Sequence, residues 1–256
     1  ASLGYFNSPL VNIVCTVFLL IAALNFSLHY AAVSSRSVKG YFKDPEFKAF
    51  FFIQATLILI CFLVLVLSGF YESAETALDQ AMIQAVSIST TAGFATTDFS
   101  VWPTFLPILL IFPSFIGGCA SSTGGGLKVV RVCLLFLQGK REVDRLIHPK
   151  AVYAVKLGER AMPDRVVEAV WGFVSAYAVV FVVLMVGLIA TGLDNLSAFT
   201  ATAAMLNNLG PGLGSVASNY ADVSDPGKWI LVVGMVFGRL EVFSLLVLFS
   251  PTFWRS

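Results

Sequence analysis

Two short turns in this sequence could act on an ion through their backbones. One is Ser89-Thr90-Thr91-Ala92-Gly93-Phe94, the other Asn207-Asn208-Leu209-Gly210-Pro211-Gly212. Each follows a stretch too short to cross a bilayer. Non-helical backbone at membrane depth persists only where it is buried in protein or lines water. There it presents carbonyl oxygens without helical partners, and a ring of such carbonyls can replace the water shell of a cation. Glycine reaches positive φ without a steric cost, so successive carbonyls can face one side. Pro211 has no N–H, so its peptide nitrogen cannot donate. The chemistry these residue types point to is cation coordination by backbone oxygen.

A third segment, residues 117–126, reads Gly-Gly-Cys-Ala-Ser-Ser-Thr-Gly-Gly-Gly. Five glycines at about 1 kcal/mol each disfavour a helix, yet apolar sequence flanks them on both sides. The expectation is an unwound loop inside a membrane span. Two readings compete: a mobile gate below the carbonyl turns, or close helix packing through small residues. The gate is preferred, because small-residue packing needs a continuous helix. A phosphate loop is excluded, because Leu127 separates the last glycine from Lys128, and Val129 follows instead of Ser or Thr. Arg239 and Glu241 fall near the middle of the last apolar run, where an Arg costs roughly 2.5–3.5 kcal/mol on insertion scales. Residues i and i+2 of one helix do not face each other, so each needs a partner elsewhere. Arg239, with five donors, is expected to donate to carbonyls of the 117–126 loop; a salt bridge to another helix is the competing reading. Lys128 and Arg131 are expected to snorkel toward the surface.

The elements that position these residues are membrane helices. Hydrophobic residues make up 57% of the 256 residues and charged residues 12%, with a mean hydropathy of +0.85, whereas soluble domains carry about a quarter charged residues. Residues 9–28, 49–70, 167–190 and 229–250 are apolar runs about 20 residues long, enough to span roughly 30 Å of hydrocarbon. Residues 102–137 form a fifth, discontinuous crossing. Segments 34–48 and 138–168 hold 11 of the 16 basic residues, while segments 71–101 and 191–228 hold seven acids and only Lys228. The positive-inside rule places the first pair in the cytoplasm and the second outside, with Arg255 putting the C-terminus inside. An outer start at Ala1, with neither Met nor a signal pattern, favours a piece of a longer chain. Cys15, Cys61, Cys119 and Cys133 show no metal or disulfide spacing and read as small packing residues. His29 and His148 are isolated.

After the first run the chain reads as two parallel units. Each has a span, a short helix, a glycine-containing turn and another span. Ser73 is placed to cap a helix to residue 89, and Asp194 one over residues 196–206. The predicted divisions are 1–32, a leading transmembrane helix; 33–48, a cytoplasmic loop; 49–138, a pore repeat with its intramembrane loop; 139–165, a second cytoplasmic loop; and 166–256, a second pore repeat. The fold class is all-α integral membrane, built of helix–pore loop–helix repeats.

Thr90-Thr91-Ala92-Gly93-Phe94, Asn207-Asn208-Leu209-Gly210-Pro211 and the segment from Gly117 to Lys128, taken together and in order, resemble the Trk/Ktr/HKT superfamily of K⁺ transporters, and within it the TrkH family of bacterial Trk systems. The resemblance covers essentially the whole chain. It implies that the two turns are the filters of the third and fourth repeats, with K⁺ at Thr91, Ala92, Asn208 and Leu209. It also implies that Gly117, Gly118, Ser121, Ser122, Thr123, Gly124, Gly125, Gly126, Lys128 and Arg239 form the gate, and that residues 9–28 are the last helix of repeat two. The family's pore takes four repeats and this chain supplies two, so the remainder lies in a missing segment or a second copy. Each filter turn carries one glycine instead of the Thr-Val-Gly-Tyr-Gly of strict K⁺ channels, which leaves the sharpness of K⁺ over Na⁺ selection open.

The implied function is potassium uptake through a carbonyl filter in a bacterial inner membrane, with the K⁺ ion as its one ligand and no covalent cofactor. The implied partners are lipid, a second copy in a homodimer, and a cytosolic nucleotide-binding ring of the TrkA kind. That ring would dock on the basic segment 138–165, which otherwise reads as a solvated positive-inside loop. No nucleic-acid partner is expected. The alternative function is an ion-coupled K⁺ symporter with broken helices. An intramembrane enzyme is excluded: there is no His-Glu-x-x-His, no Gly-x-Ser-x-Gly, and no base to activate Ser121 or Ser122.

Overall fold

The computed structural model describes residues 2–103, 105–241, 247 and 251–254. Helices α1 (Pro9–Ala22), α2 (Phe26–Ser35), α3 (Lys39–Lys43) and α4 (Pro45–Leu67) open the chain. The short helix α5 (Ala74–Ser89), α6 (Leu106–Ile116) and α7 (Val129–Ile147) come next. A two-residue hairpin, β1 (Lys156–Leu157) with β2 (Arg160–Ala161), leads to α8 (Asp164–Ala190), α9 (Asn195–Leu206) and α10 (Asp225–Arg239). At 23 and 27 residues, α4 and α8 are long and apolar enough to cross a membrane; at 1.5 Å per residue they reach about 35 and 40 Å.

The expected caps are in place. Ser73 Oγ accepts from Thr76 N at 3.1 Å, and Asp194 Oδ2 from Ser197 N at 3.1 Å. The Ser197 hydrogen bonds hold the Asp194 carboxyl below the usual carboxylate range. Helix α4 begins earlier than residue 49, because Asp44 Oδ1 accepts from Phe47 N at 2.8 Å and Pro45 sits in the first turn.

Helices α5 and α9 are the centres of two units. Helix α5 packs against α1, α4 and α6; α9 packs against α8, α10 and α6. Small buried residues, Ala77, Ala81 and Ala85 on α5 and Ala198, Ala201, Ala203 and Ala204 on α9, line these contacts. Without a side chain beyond Cβ they let backbones approach closely, which is how helices associate in lipid. Leu106, Leu110 and Ile111 of α6 are fully buried between the units.

Three expectations about the spans are corrected. The run 9–28 is not one helix: α1 and α2 meet at 92°. Asn25 Oδ1 accepts from Ser27 N at 2.9 Å and starts α2 afresh, which leaves the last carbonyls of α1 free for other donors. The run 229–250 is not a continuous helix. Helix α10 ends at Arg239, and Glu241 has φ of 55°; residues 242–246 and 248–250 of that run lie outside the described residues. Finally, α7 continues to Ile147, so the start of segment 139–165 is helical.

Candidate pore site

The two turns have the same backbone, 117 residues apart. Thr91 and Asn208 take left-handed φ of 61° and 55°, and Gly93 and Gly210 take 75° and 98°. Ala92 N and Gly93 N donate to Ser87 O at 2.8 and 3.3 Å; Leu209 N and Gly210 N donate to Ala204 O at 2.7 and 3.4 Å. In each turn two N–H groups thus point back at the short helix. The turns also touch. A methyl group at Gly93 would collide with the Leu209 carbonyl oxygen and lie 3.2 Å from Pro211 Cδ. Above them is a cavity of about 740 Å³, lined among others by Gly93, Asp98, Gly210, Pro211 and Tyr220. Phe94 is exposed, and Tyr220 Oη donates to Gly210 O at 2.7 Å. Burial pushes the Tyr220 hydroxyl up.

The break after α6 runs from Gly117 to Lys128. Gly117, Gly126, Ser121 and Lys128 all have positive φ. The returning chain satisfies the end of α6: Leu127 N donates to Phe115 O at 2.8 Å and Lys128 N to Ile116 O at 2.9 Å. The loop also uses the free end of α1. Cys119 N donates to Ala23 O at 2.8 Å and Thr123 N to Ala22 O at 3.4 Å. Its far side lies under both turns. Gly125 N donates to Thr91 Oγ1 at 2.6 Å. A methyl at Gly125 would strike the Asn207 carbonyl, and one at Gly124 would lie 3.0 Å from Thr90 O. The competing reading of residues 117–126, a continuous small-residue helix, does not hold.

The donor to the loop is a correction. Lys128 Nζ donates to Ser122 O at 3.3 Å and to the Gly124 carbonyl, so this side chain turns inward and does not snorkel. Arg239 lines the same cavity of about 450 Å³ with Ser121, Ser122, Thr123, Gly126, Gly238 and Asn208, but makes no hydrogen bond to the loop among the described residues. Chain geometry accounts for the exchange. Lys128 directly follows the loop and folds back over four to six residues, whereas Arg239 is held in the last turn of α10, where a cation suits the helix dipole. Arg131 does not snorkel either: its Nη2 bonds Glu241 Oε2 at 2.7 Å, and its guanidinium lies 4.1 Å from the Phe173 ring centroid. Glu241 thus has a partner on α7.

The partners that brace the turns, Tyr177, Ser114, Ser87 and Gln54, gave no motif in the sequence, nor did Glu46. Asn207, fully buried, accepts from Tyr177 Oη at 2.6 Å and donates to Ser114 Oγ at 3.0 Å. Ser87 Oγ donates to Phe94 O at 2.7 Å, and Ser89 Oγ to Gln54 Oε1 at 2.8 Å. Glu46, 5% exposed, accepts from Ala120 N at 2.7 Å and Val130 N at 3.0 Å through one oxygen. The sequence placed Glu46 in the loop before the apolar run 49–70; only the structure puts it in the first turn of α4, where the helix dipole by itself would explain an acid.

Short helices ending in paired non-helical turns, set among apolar spans, define an all-α integral membrane protein of the helix–pore loop–helix class. A family model described as a cation transport protein, TrkH, matches residues 1–256. The chain is 64% identical over 258 residues to the Trk system potassium uptake protein TrkH of Vibrio parahaemolyticus, covering 100% of this chain and 53% of that protein. It is 36% identical over 255 residues to the Trk system potassium uptake protein TrkG of Escherichia coli K12, covering 100% of this chain and 52% of the relative. The crystal structure of the potassium transporter TrkH from Vibrio parahaemolyticus matches with a TM-score of 0.94 and 63% identity, over 99% of this chain and 55% of that one. The chain belongs to the TrkH family of cation transport proteins. It spans about half the length of the curated relatives it matches.

Proposed function

We propose that this chain contributes two of the repeats of a potassium-uptake pore in a bacterial inner membrane, with its basic segments on the cytoplasmic side. The observation that carries this reading is the pair of touching turns with matching positive-φ positions at the ends of two short helices. In this reading Thr90, Thr91, Ala92, Gly93 and Phe94, with Asn207, Asn208, Leu209, Gly210 and Pro211, form half of the filter. The carbonyls of Thr91, Ala92, Asn208 and Leu209 replace water around K⁺. The loop of Gly117, Gly118 and residues 121–126 closes the path from below, and Lys128 holds it shut; Arg239 adds positive charge to the same cavity. The names of the relatives support potassium as the ion. Homodimerisation and docking of a nucleotide-binding ring on segment 138–165 belong to the same proposal.

The test is Rb⁺ influx into proteoliposomes carrying the full-length transporter. Deleting residues 121–125 should raise influx without an activator, and Lys128→Met should raise it more than Arg239→Ala. A hydrogen bond from a charged donor is worth about 1.5–3 kcal/mol, so losing the Lys128 contacts should enlarge the open population roughly tenfold or more. Unchanged influx in folded deletion protein sinks the gate. Current that requires an H⁺ or Na⁺ gradient replaces the channel with a symporter.

A further inference from the structure

We propose that Glu46 is the anchor of the gate: its buried carboxylate fixes the hinge end of the 117–128 loop to α4, so that only the part under the filter moves. The inference rests on the gating role proposed above. The loop is bound in two different ways. At its filter end the contacts are Gly125 N to Thr91 Oγ1, the flexible Lys128 side chain to Ser122 and Gly124, and three long bonds to the α1–α2 corner: Thr123 N and Oγ1 to Ala22 O at 3.4 and 3.2 Å, and Phe26 N to Ser121 O at 3.4 Å. Each is a contact that a small displacement breaks. At the other end Cys119 N donates to Ala23 O, and Val129 N donates to Gly118 O at 3.0 Å. Between these two, the Glu46 carboxylate takes Ala120 N and Val130 N.

One oxygen therefore joins three pieces: the first turn of α4, the entry to the loop, and the first turn of α7. Val130 N is one of the N–H groups that a helix cannot satisfy internally. A carboxylate there also meets the positive end of the α7 dipole. The same oxygen then fixes Ala120, ten residues earlier in the chain, so the loop must leave and return at one point. Burial at 5% exposure sharpens this, because little water is available to replace either bond. With the base pinned, the residues from Ser121 to Gly126 close against the filter as a flap. Without the pin, the closed register has no fixed origin.

The test uses the full-length transporter in proteoliposomes, with Rb⁺ influx measured per folded protein and no activator present. Glu46→Ala should raise basal influx about tenfold. Combined with deletion of 121–125, it should give no more influx than the deletion alone, since both remove the same closure. Glu46→Gln keeps an acceptor oxygen without the charge and should restore most of the closure, leaving a rise of about two- to threefold. A residue needed only for folding would lower influx in every background and show neither effect. If the deletion raises influx but Glu46→Ala does not, or if the two effects multiply, Glu46 is not the anchor and the gate stands without it. If the deletion itself has no effect, the gating reading and this inference fall together. Should Glu46→Ala not fold, Glu46→Gln decides: influx equal to the parent's, or a rise that adds to that of the deletion, overturns the proposal.

Discussion

The turn after α5 and the turn after α9 share a backbone and share almost none of the side chains that hold it. Around residues 90–94 the braces are hydroxyls and amides of the first unit: Ser87 on the Phe94 carbonyl, Gln84 Nε2 on Thr97 O at 2.8 Å, and Ser89 on Gln54. Around residues 207–211 they are Tyr177 and Ser114 on Asn207 from below and Tyr220 on the Gly210 carbonyl from above. The first turn also offers Thr91 Oγ1 to the loop. The second turn is tied by Asn207 to α8 and α6. Two sequences can therefore specify one carbonyl arrangement, and the partners each chooses decide what else it does. One turn is hydrogen-bonded to the 117–128 loop; the other is moored to the scaffold.

The glycines test this comparison hardest. A Cβ at Gly93 meets the Leu209 carbonyl of the neighbouring turn, while one at Gly210 meets nothing within 4 Å. Both positions are strained for an L residue, at a cost of about 1–3 kcal/mol, but only Gly93 adds a backbone collision. Gly93→Ser should abolish most Rb⁺ over Na⁺ discrimination in flux assays of the full-length transporter. Gly210→Ala should retain most of it and lower the unfolding temperature modestly. Equal losses would mean that the turns do not differ as their packing indicates.

Next come the moorings. Tyr177→Phe leaves the buried Asn207 oxygen without its donor, an expected loss of about 1–3 kcal/mol. It should appear as a lower unfolding temperature with basal influx unchanged. Thr91→Val removes the acceptor for Gly125 N and should do the reverse: little change in unfolding temperature, and basal influx up by roughly fivefold for about 1 kcal/mol. If both variants move the same observable, the division between a loop-bonded turn and a moored turn fails.

The smallest effect is expected at the mouth. Asp98 lines the cavity above the turns, and Asp222 is exposed on the loop before α10. Their charge should concentrate cations over a distance that salt limits to about 10 Å at 0.1 M. Neutralising both should lower Rb⁺ uptake at low ionic strength and leave it nearly unchanged at high ionic strength. An equal loss at both would assign the acids a structural role, such as the Asp98 cap on Ser100 N.

The outline of the fold was legible because the signals are local. The long apolar runs that became α4 and α8, Ser73 and Asp194 before short helices, and five glycines inside an apolar run all act within a few residues, and these features are present. The two misread spans fail for the same reason: hydropathy measures length in a bilayer, but it does not register that Asn25 restarts a helix or that Glu241 adopts a left-handed φ.

What the sequence by itself determined is where backbone must leave the helix and which residue types occupy those places: the two turns and the 117–128 break. What only the tertiary structure decided is who satisfies whom. Lys128, not Arg239, reaches the loop carbonyls, because chain connectivity puts its amine closer. Glu46 meets Ala120 and Val130 from 74 and 84 residues away, and Gly93 faces Leu209 across the two units. Unpaired carbonyls and N–H groups create a demand that local sequence reveals. The partner that meets it is set by packing between distant helices, and no spacing along the chain records that.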